Sequence, residues 1–133
     1  MNNINYNTMS PFNLEKPDTD LTSPEVGFKR GNIFENLYSP YKKSTYNFSP
    51  ENEREKLMLE IMETCFYAHE LNLYLDNYPN DTDKLSLFMQ YNDLSNKLIE
   101  EYERKYSPIL LSGNRFNSIP WTWVESPWPW EGV

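Results

Sequence analysis

Apolar residues recur every three or four positions in two long stretches of the chain. The first runs Leu57, Ile61, Cys65, Ala68, Leu71, Leu75. The second runs Leu87, Phe88, Tyr91, Leu94, Leu98, Ile99, Tyr102, Tyr106. That period puts each set on one side of an α-helix. Ser49-Pro50-Glu51 supplies a start for the first helix: a capping hydroxyl, a proline suited to the first helical position, and an acid near the positive dipole end. Pro79 disfavours helix at Tyr78. Asp81 is a good N-cap for the second helix, and Ser107-Pro108 ends it. A short connection between two such helices predicts antiparallel neighbours. The expected fold class is all-α: an antiparallel two-helix hairpin with extended aromatic N- and C-terminal arms.

The flanks follow other patterns. Residues 1–20 are rich in Asn, Asp, Thr and Pro and are expected to be disordered, because little there offsets ordering entropy. In residues 21–48, Ser23-Pro24-Glu25 is an earlier helix start and Gly31 a candidate end. Ile33 to Tyr41 is an aromatic stretch too short for its own core, which reads as a docking segment. The run Ile109-Leu110-Leu111 precedes Gly113, where a turn could send the tail back. Residues 49–133 thus hold the helical hairpin plus a C-terminal arm rich in tryptophan and proline. A lone helical hairpin is marginal in water, so something must cover its remaining apolar surface.

Composition sharpens this. The 133 residues are 38% hydrophobic but 16% aromatic, with ten tyrosines and four tryptophans. All four tryptophans fall at Trp121, Trp123, Trp128 and Trp130. Pro127 and Pro129 remove backbone donors there, which disfavours helix and makes the tail a poor central strand. Tyr and Trp are enriched as interface anchors. The expected partner-binding residues are Phe34, Leu37, Tyr38, Tyr41, Trp121, Trp123, Trp128 and Trp130.

Net charge is −8, concentrated in residues 49–106, which hold thirteen acidic and six basic side chains. No basic patch is available for phosphate backbones or anionic lipid, which argues against nucleic-acid partners. No apolar run reaches the ~18 residues of a membrane span. The N-terminus lacks the basic and apolar regions of a signal peptide.

No catalytic constellation stands out. The single histidine, His69, follows Phe66 by three, so the Glu-x-x-His of a dimetal bundle is missing. It reads as the edge of a helix stripe, and Cys65 reads as a buried, inert thiol. One cysteine allows no intrachain disulfide. Glu60, Glu63, Glu100, Glu101 and Glu103 read as a solvated helix face. With no phosphate loop either, no metal or cofactor is expected.

The run Glu70-Leu71-Asn72-Leu73-Tyr74-Leu75-Asp76-Asn77-Tyr78-Pro79-Asn80-Asp81, then Tyr102-Glu103-Arg104-Lys105-Tyr106-Ser107-Pro108, Pro120-Trp121-Thr122-Trp123 and Pro127-Trp128-Pro129-Trp130, resembles the spore-coat CotJB family over about residues 53–131. The departure is Tyr78, where the family more often has His. Ser23-Pro24-Glu25 and Lys29 through Tyr41 resemble the companion family CotJA over about residues 23–41. These are usually separate chains, so this one looks like a fusion. The resemblance implies a non-enzymatic structural component of the bacterial endospore coat, assembled from the mother-cell cytoplasm. Its implied partners are other coat proteins, including the manganese-catalase-like CotJC, with a homo-oligomer also open. The alternative is an accessory subunit that modulates the metal centre or stability of such an enzyme.

Overall fold

The computed structural model describes residues 20–36, 48–110, Trp121 and Trp130. Among these there are three helices and no strand: α1 (Pro24–Arg30), α2 (Glu53–Asn77) and α3 (Thr82–Lys105). Helices of 25 and 24 residues are each about 36–38 Å long.

Local chemistry sets each boundary. Ser23 caps α1 by accepting from the Val26 N–H, Pro24 occupies the first helical position, and Gly31 ends the helix at φ 72°. The left-handed turn at Gly31 lets the Asn32 N–H reach the Gly27 carbonyl at 3.0 Å, the bond that closes a helix C-terminus. α2 starts later than the Ser49-Pro50 signal predicts. Its cap is Asn52, whose Oδ1 accepts from the Glu55 N–H at 2.9 Å, while the Glu55 carboxylate receives the Glu51 N–H at 2.7 Å. This reciprocal arrangement satisfies two donors at once and outcompetes a lone serine. Asp81 caps α3 as expected, accepting from the Lys84 N–H.

α2 is the central element, and both α1 and α3 pack on it. Contacts between α2 and α3 join Arg54 to Tyr102, Tyr67 to Tyr91, and Tyr74 to Asp81 just before α3. Numbers rise on one side as they fall on the other. At one end Leu57, Ile61 and the fully buried Tyr102 cluster, with Met58, Cys65, Leu98, Ile99 and Ile109 around them.

At the other end the segment before and after α1 closes the core. An isolated bridge pairs Leu21 with Phe34, and the Thr22 N–H donates to the Ile33 carbonyl at 2.8 Å. This presses Ile33 and Phe34 onto Tyr67, Leu71 and Tyr74. Ile33 and Phe34, at the start of the aromatic stretch that could not make its own core, therefore share that of α2.

The buried face of α2 overlaps the predicted apolar stripe but is wider and displaced to one side. Leu57, Ile61, Ala68 and Leu71 are buried as expected, but Thr64, Tyr67 and Tyr74 join them, while Cys65 and Leu75 are only half-buried. The stripe shifts because α2 is covered from two sides, by α3 and by the 20–36 segment. Thr64 tolerates burial because its hydroxyl donates to the Glu60 carbonyl at 2.8 Å.

Candidate functional site

The expected anchors separate into three groups. Phe34 is only 8% exposed, its ring 5.5 Å from that of Tyr74. It faces the chain's own core. Leu37, Tyr38, Tyr41, Trp123 and Trp128 lie outside the described residues. Trp121 and Trp130 are 51% and 70% exposed. An indole so placed leaves much of a large rigid apolar surface in water, the kind of side chain a partner can bury.

The first residues beyond α3 are held by an acid expected on the solvated helix face. Glu103 is 9% exposed, and its Oε1 accepts from the Ile109 N–H at 2.8 Å and the Leu110 N–H at 3.0 Å. Past Tyr106 the chain has left the helix, and the 109–110 donors have no helical acceptors. One carboxylate satisfies both, and Ile109 settles beside Leu57, Ile61 and Tyr102. The sequence carried no signal for this beyond an acid a few residues ahead of a proline stop.

Glu63 also departs from the solvated face. Its Oε1 is buried with no hydrogen-bond partner. Burial raises its pKa, Glu25 nearby raises it further, and Lys29 opposes them. A second apolar population stays outside: Met62 and Leu73 on α2, and Leu85, Met89 and Leu94 on α3, are each more than 40% exposed. Leu94 was expected in the core, but Ser95 takes that place, its hydroxyl donating to the Asn92 carbonyl.

Among the described residues no group of three or more histidine, cysteine, aspartate or glutamate side chains gathers as a metal site. No helix there is long and apolar enough to cross a membrane. What the geometry presents is a small helical scaffold with exposed indoles beyond it and a carboxylate clasp at the point of departure.

These features define a helical protein that displays aromatic side chains, and its sequence places it in a family. The chain belongs to the CotJB family: the family model described as CotJB protein matches residues 55–131, more than half the chain. It is thus a spore-coat-related protein. The match takes in nearly all of α2, all of α3 and the four tryptophans, so scaffold and tail belong to one family unit. No curated protein and no solved structure matches the chain.

Proposed function

We propose that the protein is a non-enzymatic assembly component of the endospore coat, which grips partner coat proteins through aromatic side chains carried by an antiparallel two-helix hairpin. The observation that carries this reading is the exposure of Trp121 and Trp130, within the stretch that the CotJB match spans. Burying an indole on a partner removes on the order of 150–250 Å² from water, and such residues dominate interface energetics. Trp123 and Trp128 belong to the same arm. Leu37, Tyr38 and Tyr41 would extend the grip from the CotJA-like segment, and Phe34 would hold that segment to the scaffold.

The partner in this proposal is the manganese-catalase-like CotJC subunit, met in the mother-cell cytoplasm before deposition on the spore. The acidic helix surface and the lack of a basic patch disfavour nucleic acid as a competing partner. The test is co-purification of that subunit with the full chain and with a chain lacking residues 119–133. Loss of the complex on truncation supports the arm as anchor, and an intact complex removes it. Measuring the subunit's peroxide turnover and bound manganese with and without this chain separates scaffolding from an accessory role. Unchanged values favour scaffolding.

A further inference from the structure

α2 has a third side. α3 covers one side of it and the 20–36 segment a second. On the side that remains, Met62, Phe66, His69 and Leu73 follow at intervals of four, three and four residues. Those intervals keep them within a sector of about 60° on a helix of 3.6 residues per turn. Met62 and Leu73 are 46% and 47% exposed, and His69 is exposed. Phe66 is half-buried, its ring edge-on to that of Phe28 in α1 at 5.8 Å. α2 therefore carries apolar residues on its outer as well as its inner side, the pattern of a helix that is covered all round.

Charge restricts what can cover it. From Leu57 to Asn77, α2 holds Glu60, Glu63, Glu70 and Asp76 and no lysine or arginine. Two such helices laid together would set acid against acid, a juxtaposition that costs free energy. Residues 111–130 have the opposite character: one arginine, Arg115, one acid, Glu125, and all four tryptophans. A neutral aromatic segment escapes the repulsion, and thioether sulfur such as that of Met62 makes favourable contacts with rings. The stripe from Met62 to Leu73 is about 16 Å long. Residues 121–130, extended at about 3.3 Å each, are long enough to run its whole length. Trp121 and Trp130 are 51% and 70% exposed in the same molecule whose stripe is open, so the contact lies between molecules.

We propose that the outer stripe of α2, Met62 to Leu73, is the seat for the tryptophan tail, residues 121–130, of a second copy of this chain. The proposal rests on the reading of the tail as an anchor and adds a receptor for it on the protein itself. Each molecule offers one tail and one stripe, so copies can continue head to tail. That is a route by which a small helical scaffold builds a layer.

The test is light scattering on the full chain over a wide concentration range. The parent chain should associate as concentration rises. A stripe variant, Met62→Gln with Leu73→Gln, should stay monomeric, as should a tail variant with all four tryptophans replaced by serine. Mixed together, the two variants should form a one-to-one complex, because one retains its tail and the other its stripe. Circular dichroism checks that the helices persist. Should the stripe variant lose them, the tail variant and indole emission decide. All four tryptophans lie in the tail, so emission reports on it alone and should move to shorter wavelength as the parent chain associates. The proposal is overturned by a parent chain that is monomeric throughout, by a tail variant that still associates, or by intact variants that fail to complement. Emission already at short wavelength and independent of concentration also overturns it, since the tail would then be covered by its own chain. Loss of coat-subunit capture on removing residues 119–133 would leave the anchor reading standing in each of those cases.

Discussion

The Tyr74 hydroxyl donates to Asp81 Oδ2 at 2.9 Å across the turn between α2 and α3. The same carboxylate caps α3 through its other oxygen. One aspartate therefore starts a helix and ties it to the end of the preceding one. Its loss removes a cap and leaves a phenol that is 7% exposed without its acceptor. Asp81→Ala is expected to lower stability by roughly 1–3 kcal/mol, measured as a shift in the urea midpoint at constant slope.

The same tyrosine predicts an alkaline transition. Burial, reinforced by the hydrogen bond to Asp81, pushes Tyr74 up to about 12 from its usual 10.0. Burial, with Tyr91 beside it, pushes Tyr67 up to about 12 as well. Both phenols hold their protons more tightly folded than unfolded. Their contribution is complete below pH 10 and is lost as pH rises from 10 toward 12, by on the order of 2 kcal/mol each at most. Ultraviolet titration should show two tyrosines ionising late, together with unfolding. If all ten titrate at the ordinary value while the helices persist, this account is wrong.

Glu63 acts with the same sign in the acid range. Its raised pKa means the folded chain binds that proton more tightly than the unfolded chain does. The site therefore penalises folding above the folded-state pKa, and the penalty is relieved as pH falls through it. Glu63→Gln should be neutral to stabilising at pH 7, with the difference from the parent chain shrinking toward pH 4. Thermal denaturation of both chains across that range reads it directly. A destabilised variant at pH 7 would show that the ionised carboxylate has a partner worth keeping.

Much of the helical plan was legible because its signals are local. The Ser23 and Asp81 caps, the Gly31 stop and the break at Pro79 each depend on residues within a turn of one another. The facing of α2 was not legible in the same way. A period of 3.6 gives one stripe and presumes one neighbour. Here Ile33 and Phe34 arrive from about 40 residues upstream to cover a second side. Tyr67 and Tyr74 are buried by that covering, and their own periodicity could not announce it. Ser95 and Leu94 exchange roles for a related reason: hydropathy ranks them one way and the fit between packed helices ranks them the other. Of the expected anchors, Phe34 shows the limit most clearly. An aromatic residue beside a short helix reads the same whether it awaits a partner or is packed against its own chain.

Two glycines at α1 should respond to alanine for different reasons. At Gly27 an added Cβ would lie 2.9 Å from Ile33 Cγ2 and 3.3 Å from the Ile33 backbone. The helix would be forced off the segment that carries Ile33, which is fully buried, costing about 1–3 kcal/mol. At Gly31 nothing lies within 4 Å, but φ is +72°, so the cost there is conformational, about 1–2 kcal/mol. Gly31→Asn should recover part of it, because asparagine tolerates the left-handed region, whereas Gly27→Asn should be worse than Gly27→Ala. A pair of variants with equal costs and no asparagine rescue would contradict this distinction.

Glu103 offers the sharpest test of how the helices are joined to the tail. One of its two carboxylate oxygens, Oε1, receives both the Ile109 and Leu110 N–H groups. Replacement by alanine leaves two donors beside a packed cluster with no acceptor, which should cost roughly 1–3 kcal/mol. The effect should be local before it is global: amide exchange at Ile109 and Leu110 should accelerate strongly, while the amides of Leu71 and Tyr74, in the far cluster, keep their protection until the whole chain opens. Glu103→Gln retains a carbonyl oxygen and should preserve most of the protection. If the tail positions its tryptophans through this clasp, Glu103→Ala should also weaken partner capture with the tryptophans themselves unchanged. Full capture alongside fast exchange at 109–110 would show that the tail finds its partner without being aimed.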